Sequence, residues 1–218
     1  VNNYIVDFSD KIEIDRINSM GFGPMSEKLE KRSKDNSTLL SVDEIKEIPF
    51  PENASEEVFS ELNTIRLVQS TVPSWHKGDY KEKIDKNFLS IYTDYLDEVN
   101  LDYNIEYIDD VLKDINPLIL KIKKKYNRPR PAQLAEFHGI DLILDPTSTA
   151  KTPAYPSGHS FQAKVIEIIL TKEHPSHKNI FKQITDRVSL ARILRGLHFP
   201  SDIEFSYHIV NTYLSKKI

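Results

Sequence analysis

Cysteine is absent from the 218 residues, so no disulfide and no thiolate chemistry can figure in what this protein does. Also absent is any stretch of roughly 18 apolar residues, which excludes a helical membrane span. There is no surplus of positive charge: 29 Lys and Arg stand against 33 Asp and Glu, giving a net charge of −4 and a pI near 6.0. A general nucleic-acid binder needs a positive surface, so that class is set aside and only a local basic patch stays open. No alternating strand of useful length occurs, and no repeat. The start, Val1-Asn2-Asn3-Tyr4, lacks the basic and apolar pattern of a signal peptide. The expected compartment depends on that start: cytoplasmic if Val1 is native, periplasmic or secreted if a leader was removed.

What is there is helical. Hydrophobic residues make up 39% and charged residues 28%, the balance of a globular domain. Val58, Leu62, Ile65, Leu67 and Val68 predict one helix from Ser55 to just before Pro73. The stripe Tyr80, Ile84, Phe88, Ile91, Tyr92, Tyr95, Leu96, Val99 predicts a second, its aromatics read as core. Ile105 to Ile122 predicts a third, either kinked at Pro117 or split at Asn116. Further helices are expected over Ser160–Lys172, Lys178–Leu194 and from Pro200 to about Ser215, Pro being favoured at a first helical position. The fold class is all-α, a helical bundle. Residues 1–50 read as an N-terminal arm packing on the domain, with Glu27–Ser37 an exposed loop or frayed helix and Ser41–Ile48 one short helix. Residues 51–218 form the helical domain.

Three clusters carry chemistry. In Tyr155-Pro156-Ser157-Gly158-His159-Ser160 a sharp turn opens a helix, whose free N–H groups and dipole make an anion site. Gly158 permits close approach to the backbone, and His159 adds a titratable group. The second cluster is basic, from Lys121 and Lys123 to Arg128-Pro129-Arg130-Pro131. Prolines stiffen it, and rigid arginines suit a bidentate grip on an oxyanion. The third runs from Arg192 to His198 and Asp202. A carboxylate on one imidazole nitrogen fixes the tautomer and leaves the other free.

Together, Lys123, six residues, Arg130-Pro131; then Pro156-Ser157-Gly158-His159; then Arg192, five residues, His198, three residues, Asp202 resemble the type 2 phosphatidic acid phosphatase superfamily. That superfamily includes the bacterial class A acid phosphatases and the vanadium haloperoxidases. The likeness covers about residues 105–210. Lys121 with Arg128-Pro129 repeats the first spacing. Lys123 with Arg130 is favoured, because the family commonly carries an additional Arg two residues before the anion-binding one. Ala191 stands where the family usually has a serine.

The resemblance implies that Lys123, Arg130 and Arg192 bind phosphoryl oxygens, with Ser157 and Gly158 adding a hydroxyl and backbone N–H groups. It implies that His198 is the nucleophile forming a phosphohistidine, that Asp202 orients it, and that His159 protonates the leaving alcohol and then activates water. It further implies a metal-independent phosphatase without a cofactor, inhibited by vanadate and acting on a small phosphorylated substrate. A homo-oligomer is compatible with the sequence. Alternatives are a haloperoxidase, with vanadate as its cofactor, and a non-catalytic binder of phosphorylated ligands. His138, His174, His177, His208 and Arg195 read as structural or rim residues, and Trp75-His76 as a loop near a substrate mouth.

Overall fold

In the computed structural model, residues 9–71, 79–145, 147 and 150–218 are described. Among them there is no β-strand, and the architecture is all-α. The helices are α1 (Lys11–Asn18), α2 (Glu27–Arg32), α3 (Glu56–Thr71), α4 (Asp79–Asn87), α5 (Leu89–Glu98), α6 (Ile105–Tyr126), α7 (Pro131–Leu134), α8 (Gly158–Glu173), α9 (Lys178–Leu194) and α10 (Pro200–Ile209). A π turn, Val210–Leu214, extends α10. No described helix is long and apolar enough to cross a membrane.

The longest helix, α6, is a single element with Pro117 inside it. Ile108, Val111, Ile115, Leu118, Ile119 and Ile122 form its buried face and pack against α5, α8, α9 and α10 in the larger core cluster. The Asn104 side chain caps its start by accepting from Tyr107 N at 3.0 Å, the role an N-cap amide plays best. Asn127 ends it in the left-handed region, φ 46°. A second cluster joins α1, α3 and α7 through Ile17, Val58, Leu62, Ile65, Leu134, Ile193 and Phe199. A third, small cluster of Ile84, Ala163, Val188 and Ala191 ties α4 to α8 and α9.

Several expectations are corrected. The second predicted helix is two, α4 and α5, separated at Phe88, where the chain tightens to an Ile91 N–Phe88 O bond. Leu67 is 62% exposed, because a residue two places from Ile65 turns about 200° away from it; Gln69 is buried instead. Ser41–Ile48 holds only a 3-10 turn, Val42–Glu44. Glu27–Arg32 is helical, in line with the second of its two alternatives, whereas the helix Lys11–Asn18 was not revealed by sequence periodicity. Pro73, Trp75, His76 and the side chain of Tyr80 lie outside the described residues.

The arm engages both larger clusters, through Ile17 in one and Leu40 in the other. Asp114 on α6 is its clamp. This carboxylate accepts from Ser37 Oγ at 2.5 Å, from Thr38 N and Oγ1 at 2.8 Å each, and from Leu39 N at 3.2 Å. Burial pushes Asp114 upward, but these bonds outweigh it and hold the carboxyl below its ordinary value. The clamp therefore holds above the unfolded carboxyl range and weakens as pH falls through about 4. We expect Asp114→Ala to cost about 1–2 kcal/mol and to hasten tryptic cleavage at Lys31, Arg32 and Lys34, as read by limited proteolysis with mass spectrometry.

Candidate functional site

The site lies where the three clusters meet. Lys123 follows Ile119 and Ile122 on the buried face of α6. Arg130 immediately precedes α7, whose Leu134 belongs to the second cluster. Arg192 follows Ala191 in the last turn of α9. The chain then reverses at Gly196, whose φ of 64° an L side chain rarely adopts. A Cβ there would also press to 3.4 Å on Gln69 Nε2 and Ile143 O. This reversal delivers His198 to the start of α10, which Pro200 begins.

His198 is 2% exposed and sits between an acid and a base. Its Nδ1 lies 3.1 Å from Asp202 Oδ2, and its Nε2 lies 2.9 Å from an Arg130 guanidinium nitrogen. Guanidinium only donates, so Nε2 must be the accepting nitrogen and Nδ1 must carry the hydrogen. The tautomer is thus assigned by its neighbours, with a lone pair on Nε2. Asp202 is fully buried and also accepts from Phe199 N at 2.8 Å and from Arg128 at 2.6 Å.

Arg128 stands behind this pair. It is fully buried, bonded to Glu61 on α3 at 2.9 Å and to Ser201 Oγ at 2.7 Å, and it lies 4.0 Å over the Phe199 ring. Of the two lysines of the first motif, Lys123 is buried near Arg130, while Lys121 bonds Asn36. Arg128 holds Asp202, and Arg130 holds His198.

Lys123 Nζ donates to Pro153 O at 2.5 Å and to Ala154 O at 3.4 Å. Arg130 donates to Thr152 O at 2.9 Å and to Leu197 O at 2.7 Å, besides His198. Among the described residues neither cation is paired with a carboxylate. Burial, then the neighbouring Arg130, lowers Lys123 well below its ordinary value. Burial also draws Arg130 down to about 10. Arg192 is ion-paired with Asp85 on α4 at 2.7 Å.

The turn before α8 completes the set. Ser157 caps the helix; its hydroxyl is engaged within its own turn, donating to Ser160 Oγ at 2.9 Å. A hydroxyl chain continues from Ser160 to Ser189 and Tyr207. A Cβ on Gly158 would lie 3.9 Å from Lys123 Cε, so the bare side of this glycine faces the lysine. The first N–H groups of α8 have no partner inside the helix by its geometry. His159 meets the carbonyl of Asp85 at 3.3 Å and the Phe88 ring at 5.4 Å. Burial, then Arg192, pulls its pKa to about 3. Burial also pulls His198 well down, followed by Arg130, Lys123, Arg192 and His159, so all five side chains share one electrostatic neighbourhood.

Asp85 and Glu61 are the site residues that sequence reasoning missed. Both come from charged helices, and only a contact reaching across 107 or 67 positions distinguishes them from solvated carboxylates. The remaining described histidines have structural partners: His138 with Asn53 O, His174 with Asp102 O, His177 with Tyr95 Oη, and His208 beside Tyr213. Among the described residues no group of His, Asp and Glu gathers as a metal-ligand set. The arrangement offers cations, a neutral imidazole whose Nε2 lone pair faces a guanidinium, and a helix start, which together fit an oxyanion. No protein-family model matches the chain, and a search of curated proteins finds no match.

Three outcomes follow from this geometry. Nitrogen-15 NMR should show the His159 ring, and the His198 ring as its Nδ1–H tautomer, still neutral at pH 5. Because folded pKa values lie below the unfolded value near 6.5, protons bind the unfolded chain preferentially, and stability should fall as pH drops below about 6.5. Arg128→Met should leave Asp202 buried without its cation and cost about 3–5 kcal/mol by denaturant titration.

Proposed function

We propose that the protein is a phosphoric monoester hydrolase of the acid phosphatase type, similar to the type 2 phosphatidic acid phosphatase superfamily, acting through a phosphohistidine on His198. One observation carries the reading. Lys123 and Arg130 are buried without carboxylate ion pairs in the neighbourhood of His198, whose Nε2 lone pair faces Arg130. Buried charges without counter-charge are costly, so their retention points to an anionic ligand.

The reaction proceeds in two displacements. Arg130 turns from His198 Nε2 to the phosphoryl oxygens, joined by Lys123, Arg192 and the α8 N–H groups. These offset the charge that otherwise repels a nucleophile. Nε2 forms a bond to phosphorus as the bond to the ester oxygen breaks. The imidazole gains positive charge, which Asp202 stabilises through the Nδ1 hydrogen. A phosphate dianion also offsets the cations that depress His159, raising its hold on a proton. His159 gives that proton to the leaving alcohol and then takes one from water, which attacks phosphorus and breaks the P–N bond. Phosphate leaves and His198 returns to its starting tautomer.

The test is release of phosphate from para-nitrophenyl phosphate in EDTA. Vanadate should inhibit, and His198→Ala should lower kcat/KM by at least about 10³-fold. Near wild-type turnover in that variant would refute the mechanism, whereas phosphate binding with no turnover across a broad ester panel would leave a binder of phosphorylated ligands.

A further inference from the structure

A cavity of about 370 Å3 opens on the far side of Arg130, bounded by Phe22 from the arm, Ala132 and Gln133 from α7, Leu144 and Thr147 from the loop before α8, and the Arg195–Leu197 reversal. Its wall adjoins the oxyanion set at two places. Arg130 lines it while touching His198, and its neighbour across the wall, Leu197, directly precedes that histidine. Thr147 lines it while donating to Asp85, the partner of Arg192.

We infer that this cavity receives the alcohol part of the ester and selects an apolar body, such as an aryl or short alkyl group; the inference rests on the phosphomonoesterase reading. The polar side chains in its wall are already engaged with protein. Gln133 spans Arg130 N at 2.8 Å and Phe22 O at 3.3 Å, and Arg195 is ion-paired with Asp145 at 3.3 Å. A sugar or polyol would surrender its water there to groups with partners of their own. What remains to be covered is apolar. Leu144 is 57% exposed beside Ile143 at 60%, an aliphatic pair left toward solvent at the rim. Phe22 is a built wall rather than a passing contact, since its N–H donates to Asn127 O at 2.9 Å at the end of α6. The volume falls in the range of small-molecule sites, where apolar walls bind and a few polar groups orient. Arg130 and the other cations would orient the phosphoryl end.

The experiment compares methylphosphonate with phenylphosphonate by calorimetry, because a C–P bond cannot be cleaved as an ester. Phenylphosphonate should bind about tenfold more tightly. Two substitutions at exposed positions, Ala132→Trp and the uncharged Leu144→Asn, should each cut that preference below about threefold and leave methylphosphonate binding unchanged. Equal affinity of the two ligands in the unaltered protein would overturn the inference, as would a full phenyl preference in both variants. In either case a bound methylphosphonate would leave the phosphomonoesterase reading standing. Failure of both ligands to bind the folded protein would remove that reading and the inference together.

Discussion

One buried carboxylate holds the molecule and its site together. Asp202 has no exposure to solvent and is shared by the Arg128 guanidinium, the His198 imidazole and the Phe199 N–H. None of these charges could be buried alone, because the loss of hydration exceeds what a single contact returns. Arg128 in turn takes Glu61 from α3 and lies against the Phe199 and Phe50 rings at 4.0 and 5.0 Å. The knot therefore joins the end of α6, the start of α10, α3 and the arm. Stability and the orientation of His198 depend on the same atoms.

The opposite condition holds a few ångströms away. Burial lowers Lys123, Arg130 and both imidazoles, and neighbouring cations, Arg192 among them in every case, lower them further. Like charges crowded in a low-dielectric interior weaken the fold. Asp85 offsets one of the three. The others are met by carbonyls, whose dipoles soften the charge without cancelling it. On the phosphatase reading, such a site is short of negative charge, and the surrounding helices fix its members before the anion binds.

Sequence patterns made much of this legible, and their failures have definite causes. The long stripes of α6, α8 and α9 were plain because one face of each is continuously buried. The motif residues were readable because Pro, Gly, His and Arg occur there in an order that no core requirement explains. Lys121 and Lys123 could not be told apart by spacing; two positions on a helix face opposite ways, and only the packing of α6 says which way is inward. Asp85 sits among Lys83, Lys86 and other charges of α4 and has the local look of a solvated residue. Its role exists only once α9 lies against α4. The same is true of Phe22, whose place in a cavity wall depends on the end of α6.

The contact between Arg130 and His198 adds a consequence for how such a site would act. The lone pair of Nε2 is held by a guanidinium nitrogen at 2.9 Å; on the phosphatase reading, the nucleophile is therefore masked by a group that also has to grip the anion. The two tasks compete for one donor. An incoming phosphoryl oxygen, being charged, is a far better partner for guanidinium than a neutral imidazole. On the phosphatase reading, the anion that recruits Arg130 thereby uncovers Nε2, already in the required tautomer through Asp202. Binding and activation become one event, and water entering alone has too little charge to set it off.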